Sequence, residues 1–161
     1  MSVIATYRSD LAVAETLTEN VSLMSDKTVT HAMNTSKTLN GTSTPPATLV
    51  ASGALTLSDG DGTIDLTAVI GTNGVAVDGS GLRVQSMKIR GKLGNANPIT
   101  VAIGAENGYD GFGAAFGISL VATAEQLLYT ADAGNNISGT NKILDVTGTG
   151  SQILEYAITF G

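Results

Sequence analysis

The sequence predicts an all-β protein: a single antiparallel β-sandwich, jelly-roll-like, that follows an extended N-terminal arm. In residues 47–161, apolar side chains alternate with polar ones, which is the period of a strand with one buried face. These segments recur about every 8–14 residues and are separated by turns rich in Gly, Asn and Asp, which is typical of sandwiches rather than βαβ units. The chain has only four Tyr, three Phe and no Trp, so we expect a core of Leu, Ile, Val and Ala.

Residues 1–46 are predicted to form an N-terminal arm or edge segment outside the sandwich. The segment is polar and ends at Pro45-Pro46, where paired prolines require extended backbone and cannot continue a helix. Short strands are expected at Val21–Met24 and Thr28–Ala32. The spacing of apolar residues also allows a short helix from Asp10 to Leu17. Because the arm is too polar to form a core of its own, we expect it to lie along another surface.

Residues 47–161 are predicted to form one sandwich domain built from eight alternating segments. Asp59-Gly-Asp-Gly62 lies between two of them and is a strong hairpin signal. Further along, the apolar parity slips by one residue at Gln85-Ser86, as a β-bulge would require. The eight segments are Leu49–Leu57, Ile64–Ala68, Leu82–Arg90, Ile99–Ile103, Ile118–Val121, Leu127–Thr130, Lys142–Thr147 and Ile153–Phe160.

The composition excludes several classes of function. Eight Lys and Arg against 14 Asp and Glu give a net charge of −6, which argues against a nucleic-acid-binding domain. No apolar stretch approaches the ~20 residues of a membrane span. The chain has no Cys and one His, so it lacks a thiol nucleophile, a disulfide framework and a multi-histidine metal site. No Gly-x-Ser-x-Gly motif accompanies His31, and we therefore expect no enzyme.

The most metal-like motif is Asp59-Gly-Asp61-Gly-Thr-Ile-Asp65, which resembles the start of a calcium loop. An EF-hand also requires a bidentate Glu at its twelfth position. Counting from Asp59, that position is Ile70. A plain hairpin turn is therefore the favoured interpretation, and a Ca²⁺ site at Asp59, Asp61 and Asp65 is the alternative.

Half of the basic residues lie within ten positions, at Arg83, Lys88, Arg90 and Lys92. The last three are two residues apart and so share one strand face. A solvated polar face is the favoured interpretation, and a contact strip for an acidic partner is the alternative. Nucleic acid is poorly supported, because no aromatic residues are interleaved. Residues 93–141 contain no Lys or Arg, and patches of opposite sign would suit self-association.

The second half of the chain resembles small all-β proteins encoded among tailed-phage virion genes and prophage-like loci. The similarity covers about residues 80–161 and is diffuse. It is carried by the strand Leu82–Arg90, by Asn95-Ala-Asn-Pro-Ile-Thr-Val-Ala-Ile-Gly104 and Asn107-Gly-Tyr-Asp-Gly-Phe112, and by Val121–Tyr129, Leu144–Ser151 and the final Tyr156-Ala-Ile-Thr-Phe-Gly161.

The resemblance implies a non-enzymatic structural protein at the capsid surface of a virion, such as a decoration, cement or head-surface protein, with no catalytic residues to transfer. Its expected partners are its own copies, with a homotrimer as the first hypothesis, and a capsid or other virion protein. Before assembly it would be soluble in the host cytoplasm. The residues themselves leave a second class open, a carbohydrate-recognising β-sandwich module with Ca²⁺ at Asp59, Asp61 and Asp65.

Overall fold

The described part of the chain folds entirely as β-structure. A computed structural model describes residues 3–17, 27–71, 73–130 and 133–161, and none of these residues is helical. Their strands are β1 (Ile4–Leu17), β2 (Lys27–Asn40), β3 (Leu49–Thr56), β4 (Asp61–Asp65), β5 (Val69–Ile70), β6 (Ala76–Val77), β7 (Val84–Gly91), β8 (Ile99–Ile103), β9 (Gly117–Leu120), β10 (Glu125–Tyr129), β11 (Ile143–Thr147) and β12 (Ile153–Phe160).

Eight of the strands from β3 onward form two four-stranded antiparallel sheets. One sheet has the order β10-β7-β12-β3 and the other the order β4-β11-β8-β9, while β5 and β6 pair with each other as a short separate sheet. β3 pairs with β12, β4 with β11, β7 with β10 and β8 with β9. Along the chain, the first of these eight strands therefore pairs with the last, the second with the seventh, the third with the sixth and the fourth with the fifth. This nested pairing is the topology of a jelly roll. The predicted jelly-roll-like β-sandwich is confirmed.

The two four-stranded sheets enclose one hydrophobic core. In β12, the inward residues Leu154, Ile158 and Phe160 are buried, whereas Ala157 between them is exposed. Full burial of one such large apolar side chain contributes roughly 1.5–3 kcal/mol. As the composition predicted, aliphatic residues dominate the cluster, which includes Ile64, Leu66, Val84, Met87, Ile89, Ile99, Val101, Leu120, Leu144 and Val146.

The Asp-Gly turn forms as predicted, but it does not join two strands of one hairpin. Asp59 and Gly60 have φ angles of 52° and 94°, as both central residues of a type I′ turn require. Ser58 and Asp61 exchange backbone hydrogen bonds of 2.9 Å across this turn. The flanking strands β3 and β4 then enter different sheets, because β12 and β11 are their ladder partners. The turn therefore carries the chain from one layer of the sandwich to the other.

The predicted β-bulge in β7 is confirmed. Ser86 pairs with Thr159 and Val84 pairs with Phe160, so Gln85 is the additional residue. Gln85 is fully buried, and its side-chain Nε2 donates a hydrogen bond of 3.0 Å to the carbonyl oxygen of Gly161. The bulge thus allows Val84 and Met87 both to face the core.

The N-terminal segment forms a two-stranded ribbon of β1 and β2, each 14 residues long. The prediction of a helix from Asp10 to Leu17 is wrong, because these residues lie in β1. Extended backbone suits β-branched and aromatic residues such as Thr6 and Tyr7. The predicted strand at Thr28–Ala32 lies within β2, and the one at Val21–Met24 falls outside the described residues.

The chain divides into two compact units. Thr6–Thr38 is one, and Leu39–Gly161 with the chain up to Ala5 is the other, called the body below. Within the body, a second small cluster of buried residues consists of Val3, Leu39 and Ala47, with Ala5 and Tyr129 packed against it. Tyr129 is the last residue of β10. Within the body, this cluster therefore packs Val3 and Leu39 against the sheet β10-β7-β12-β3.

Candidate functional site

The three aspartates of the calcium-like motif are spread along a turn and a strand. Asp59 lies in the type I′ turn, and Asp61 and Asp65 are the first and last residues of β4. A rise of about 3.3 Å per residue places those two Cα atoms roughly 13 Å apart. Within the described ranges, no three or more His, Cys, Asp or Glu side chains form a group that could hold a metal ion. The structure therefore does not bring the carboxylates of Asp59, Asp61 and Asp65 together as ligands of one ion.

Asp65 instead takes part in a local network of hydrogen bonds. Its Oδ2 lies 2.7 Å from Nζ of Lys142, and its Oδ1 accepts hydrogen bonds of 2.9 and 2.7 Å from the backbone nitrogen and Oγ1 of Thr67. Burial acts to raise the pKa of Asp65, but the bonds from Lys142 and Thr67 outweigh it and hold the pKa below its usual value. The carboxylate therefore joins the end of β4 to the residue before β11.

The predicted basic strip lies on the outer face of the sheet β10-β7-β12-β3. Lys88 and Arg90 are exposed and alternate with the buried Met87 and Ile89 in β7. Lys92, also exposed, follows the end of the strand. The alternation expected from the sequence thus places Lys88 and Arg90 on one face.

Two carboxylates that are distant in sequence compensate Lys88 and Arg90 of the strip. Arg90 lies opposite Glu125 of β10 and Glu155 of β12 in the ladder register. Nε and Nη2 of Arg90 lie 2.8 and 2.5 Å from Oε2 of Glu155, and Nζ of Lys88 lies 2.9 Å from Oε2 of Glu125. Such exposed pairs contribute about 0–1 kcal/mol each. The outer face therefore presents paired charges, beside a shallow hollow of 270 Å³ that Lys88, Arg90 and Glu155 help to line.

Arg83 does not belong to this row of charges. It precedes β7, and its Nε donates a hydrogen bond of 2.8 Å to Oδ1 of Asn136. Its backbone nitrogen and oxygen exchange hydrogen bonds of 3.0 and 3.1 Å with Gly161. Arg83 thus links the segment before β7 to the loop before β11.

The N-terminal ribbon exposes side chains along both strands. All residues at 8–14 of β1 and at 32–38 of β2 are exposed, including the apolar Leu11, Val13 and Met33. A two-stranded sheet alone is marginally stable at best in water, and a strand with a free edge is a template for pairing with another chain. The ribbon is therefore the second candidate interaction surface, one that the sequence predicted as an arm but not as a long paired sheet.

The fold and these surfaces define an all-β jelly-roll protein with an N-terminal ribbon. No protein-family model, no curated protein and no solved structure matches the chain. Over the described residues, no helix is long and apolar enough to cross a membrane.

Proposed function

We propose that this protein is a non-enzymatic structural component of a virion that self-associates through its N-terminal ribbon and binds a capsid surface. The ribbon is the observation that supports this most directly, because Thr6–Thr38, which contains most of β1 and β2, is a compact unit whose residues 8–14 and 32–38 are exposed. Ordering each residue costs roughly 1–2 kcal/mol of backbone entropy. A neighbouring copy would supply contacts that offset this cost.

The body fits a role that depends on surfaces. Jelly rolls occur in viral capsid proteins, but also in lectins and cupins, so the fold by itself does not select a function. The resemblance of about residues 80–161 to tailed-phage virion proteins favours the capsid. In this proposal Lys88, Arg90 and Lys92 contribute to the contact with a capsid protein, where a carboxylate of the partner would compete with Glu125 and Glu155.

A carbohydrate-recognition module is the second candidate, and one surface feature favours it. The outer face of the other sheet has a hollow of 440 Å³, lined by Ser58, Asp61, Thr63, Asp145 and Thr147 among others. Carboxylate and hydroxyl oxygens of this kind can accept hydrogen bonds from sugar hydroxyls. Binding on a glycan array that Asp145→Asn abolishes would favour this candidate over the virion role. Loss of that binding on addition of a chelator would indicate that it requires Ca²⁺.

The self-association is tested by light scattering on the full chain and on a variant in which an Asn-Gly turn replaces Thr6–Thr38. This variant keeps Val3 and Leu39, which are buried in the body. We expect the full chain to have three times the 16.3 kDa of one chain and the variant to be monomeric, with cooperative thermal unfolding showing that its body is folded.

A second variant controls for the length of the segment. It replaces Thr6–Thr38 by a Gly-Ser segment of equal length, which cannot form the paired strands, and we expect it to be monomeric as well. If either variant forms the same oligomer as the full chain, the ribbon is not the assembly element. The virion role is tested separately by the neighbouring genes, which should encode capsid, portal or terminase proteins.

A further inference from the structure

The four edge strands of the two sheets are protected to different degrees. The edges are β3 and β10 in one sheet and β4 and β9 in the other. β4, β9 and β10 have only four or five residues, and β4 and β10 carry acidic side chains. β3 has eight residues, Leu-Val-Ala-Ser-Gly-Ala-Leu-Thr, without a charge or a proline. Short length, charge and proline are common means of blocking an edge, and β3 is the one of these four strands that has none of them.

Exposed apolar side chains lie in β3 and in the hairpin beside it. Val50 of β3 is 42 % exposed, Ile70 of β5 is 50 % exposed, and Val75 in the turn between β5 and β6 is 61 % exposed. Oη of Tyr156 donates a hydrogen bond of 3.2 Å to the carbonyl oxygen of Ile70, which holds β5 beside β3. Large apolar side chains and an uncharged strand edge thus occur together on one side of the body.

At alternate residues, the backbone groups of β3 point away from its ladder partner β12. The backbone nitrogen of Leu57, just after β3, donates a hydrogen bond of 2.9 Å to the carbonyl oxygen of Gln152 in the direction of β12. In an antiparallel pair, the residues that bond to the partner alternate with residues whose N–H and C=O groups point away from it. By this alternation, the groups of Val50, Ser52 and Ala54 point away from β12.

We propose that the edge of β3 that faces away from β12 accepts strand β1 of a second copy of this chain. The inference rests on the proposed self-association through the ribbon and names the surface that receives it. Pairing of this type takes affinity from main-chain hydrogen bonds and specificity from alternate side chains. β1 is the donor because Leu11 and Val13 are exposed on one of its faces, and Arg8 and Asp10 form an ion pair with each other. The added strand would cover Val50 of the acceptor.

A proline at Ser52 tests the acceptor edge in the full chain. Ser52→Pro removes an N–H that points away from β12, so the β3–β12 ladder keeps its bonds, as for prolines found in natural edge strands. Ser52→Ala keeps the N–H and is the matched control. We expect Ser52→Pro to raise the midpoint concentration of assembly at least about tenfold, equivalent to about 1.4 kcal/mol, and Ser52→Ala to leave it unchanged. Equal assembly of the two variants would overturn the inference.

Disulfide crosslinking tests the same contact without a change to the backbone. The chain has no Cys, so a disulfide between two chains with one introduced Cys each reports an intermolecular contact. A chain with Val13→Cys is mixed with a chain with Ser52→Cys or Ala54→Cys at the acceptor edge, or with Thr63→Cys on the edge strand β4 as control. We expect crosslinks to β3 and none to β4. Crosslinking to Thr63→Cys alone, or none in any mixture, would overturn the proposal.

The results separate this inference from the proposed function. If replacement of Thr6–Thr38 abolishes assembly while Ser52→Pro does not, the ribbon pairs with another surface, and only the β3 acceptor is wrong. If replacement of Thr6–Thr38 leaves assembly unchanged, both the ribbon's role and its acceptor are wrong.

Discussion

The body and the ribbon are both built from paired β-strands, but different interactions hold them. In the body, side chains of two sheets meet in one core, where Leu144, Leu154 and Ile158 are fully buried. In the ribbon, residues 8–14 and 32–38 are exposed, so pairing of the two strands has little apolar burial to support it. Strand formation alone therefore does not give independent stability. The body has the contacts of a domain that folds alone, whereas we propose that the ribbon gains stability from a neighbouring copy.

Truncation of one leucine in each region should give the largest contrast. Leu144→Ala removes a fully buried side chain from the core, and we expect a loss of about 2–5 kcal/mol in the free energy of unfolding. Leu11→Ala changes an exposed ribbon residue and should stay within about 0.5 kcal/mol in the dissociated chain. Urea unfolding of both variants at low protein concentration measures the difference, and similar losses would refute the contrast.

A smaller effect is expected from the hydroxyl group of Tyr109. This side chain is fully buried, and burial raises the pKa of its hydroxyl. The hydroxyl accepts a hydrogen bond of 3.2 Å from the backbone nitrogen of Val84 and donates one of 3.1 Å to the carbonyl oxygen of Asn135. Tyr109→Phe leaves both groups without this partner and should cost about 1–3 kcal/mol.

Tyr156→Phe is the matched control for this prediction. Its hydroxyl donates a single bond to the carbonyl oxygen of Ile70, a residue exposed enough for water to replace it. We expect the free energy of unfolding to fall by about 0.5–1.5 kcal/mol. Urea unfolding measures this change for both Tyr→Phe variants. A larger loss from Tyr156→Phe than from Tyr109→Phe would show that the buried network is not the stronger one.

The smallest effect is a pH dependence at Asp65. Its pKa is lower in the folded protein than the ordinary value of 3.8. The contribution of Asp65 to the free energy of unfolding is therefore fully present above about pH 5 and is lost as the pH falls through 3.8 and below. Lys142→Met removes the ion pair and should cost about 0.2–1 kcal/mol at pH 7. Chemical unfolding at pH 7 and pH 3 measures the free energy of unfolding of wild type and of Lys142→Met. We expect the two proteins to differ less at pH 3 than at pH 7. An equal difference at the two pH values would contradict the role of the Asp65–Lys142 pair.

The periodicity of the sequence predicted the body better than the ribbon. The alternation of Leu154, Tyr156, Ile158 and Phe160 predicted β12 and its buried face, because side chains alternate in any half-buried strand. Periodicity does not predict β1, because residues 8–14 are exposed on both faces and the apolar spacing at Leu11 allows a helix as well as a strand. Pairing with β2 decides the conformation there, and spacing within β1 cannot reveal it.

The charged face was predictable only on one strand. The spacing of Lys88 and Arg90 predicted their common face, but the partners that compensate them come from other strands. Glu155 is 65 positions from Arg90, and Asp65 is 77 positions from Lys142. These pairs follow from the nested order of the jelly roll, in which distant strands become neighbours. Composition and local spacing contain no information on that order.

Hydrogen exchange measured at low and high protein concentration tests the central difference between body and ribbon most directly. We expect amides of β7, β11 and β12 to be protected at both concentrations, because core strands open only with global unfolding. Amides of β1 and β2 should exchange rapidly in the dissociated chain and become protected on assembly, together with the outward amides of β3. Equal protection of ribbon and body in the dissociated chain would contradict the account, because the ribbon would then be stable without a neighbour.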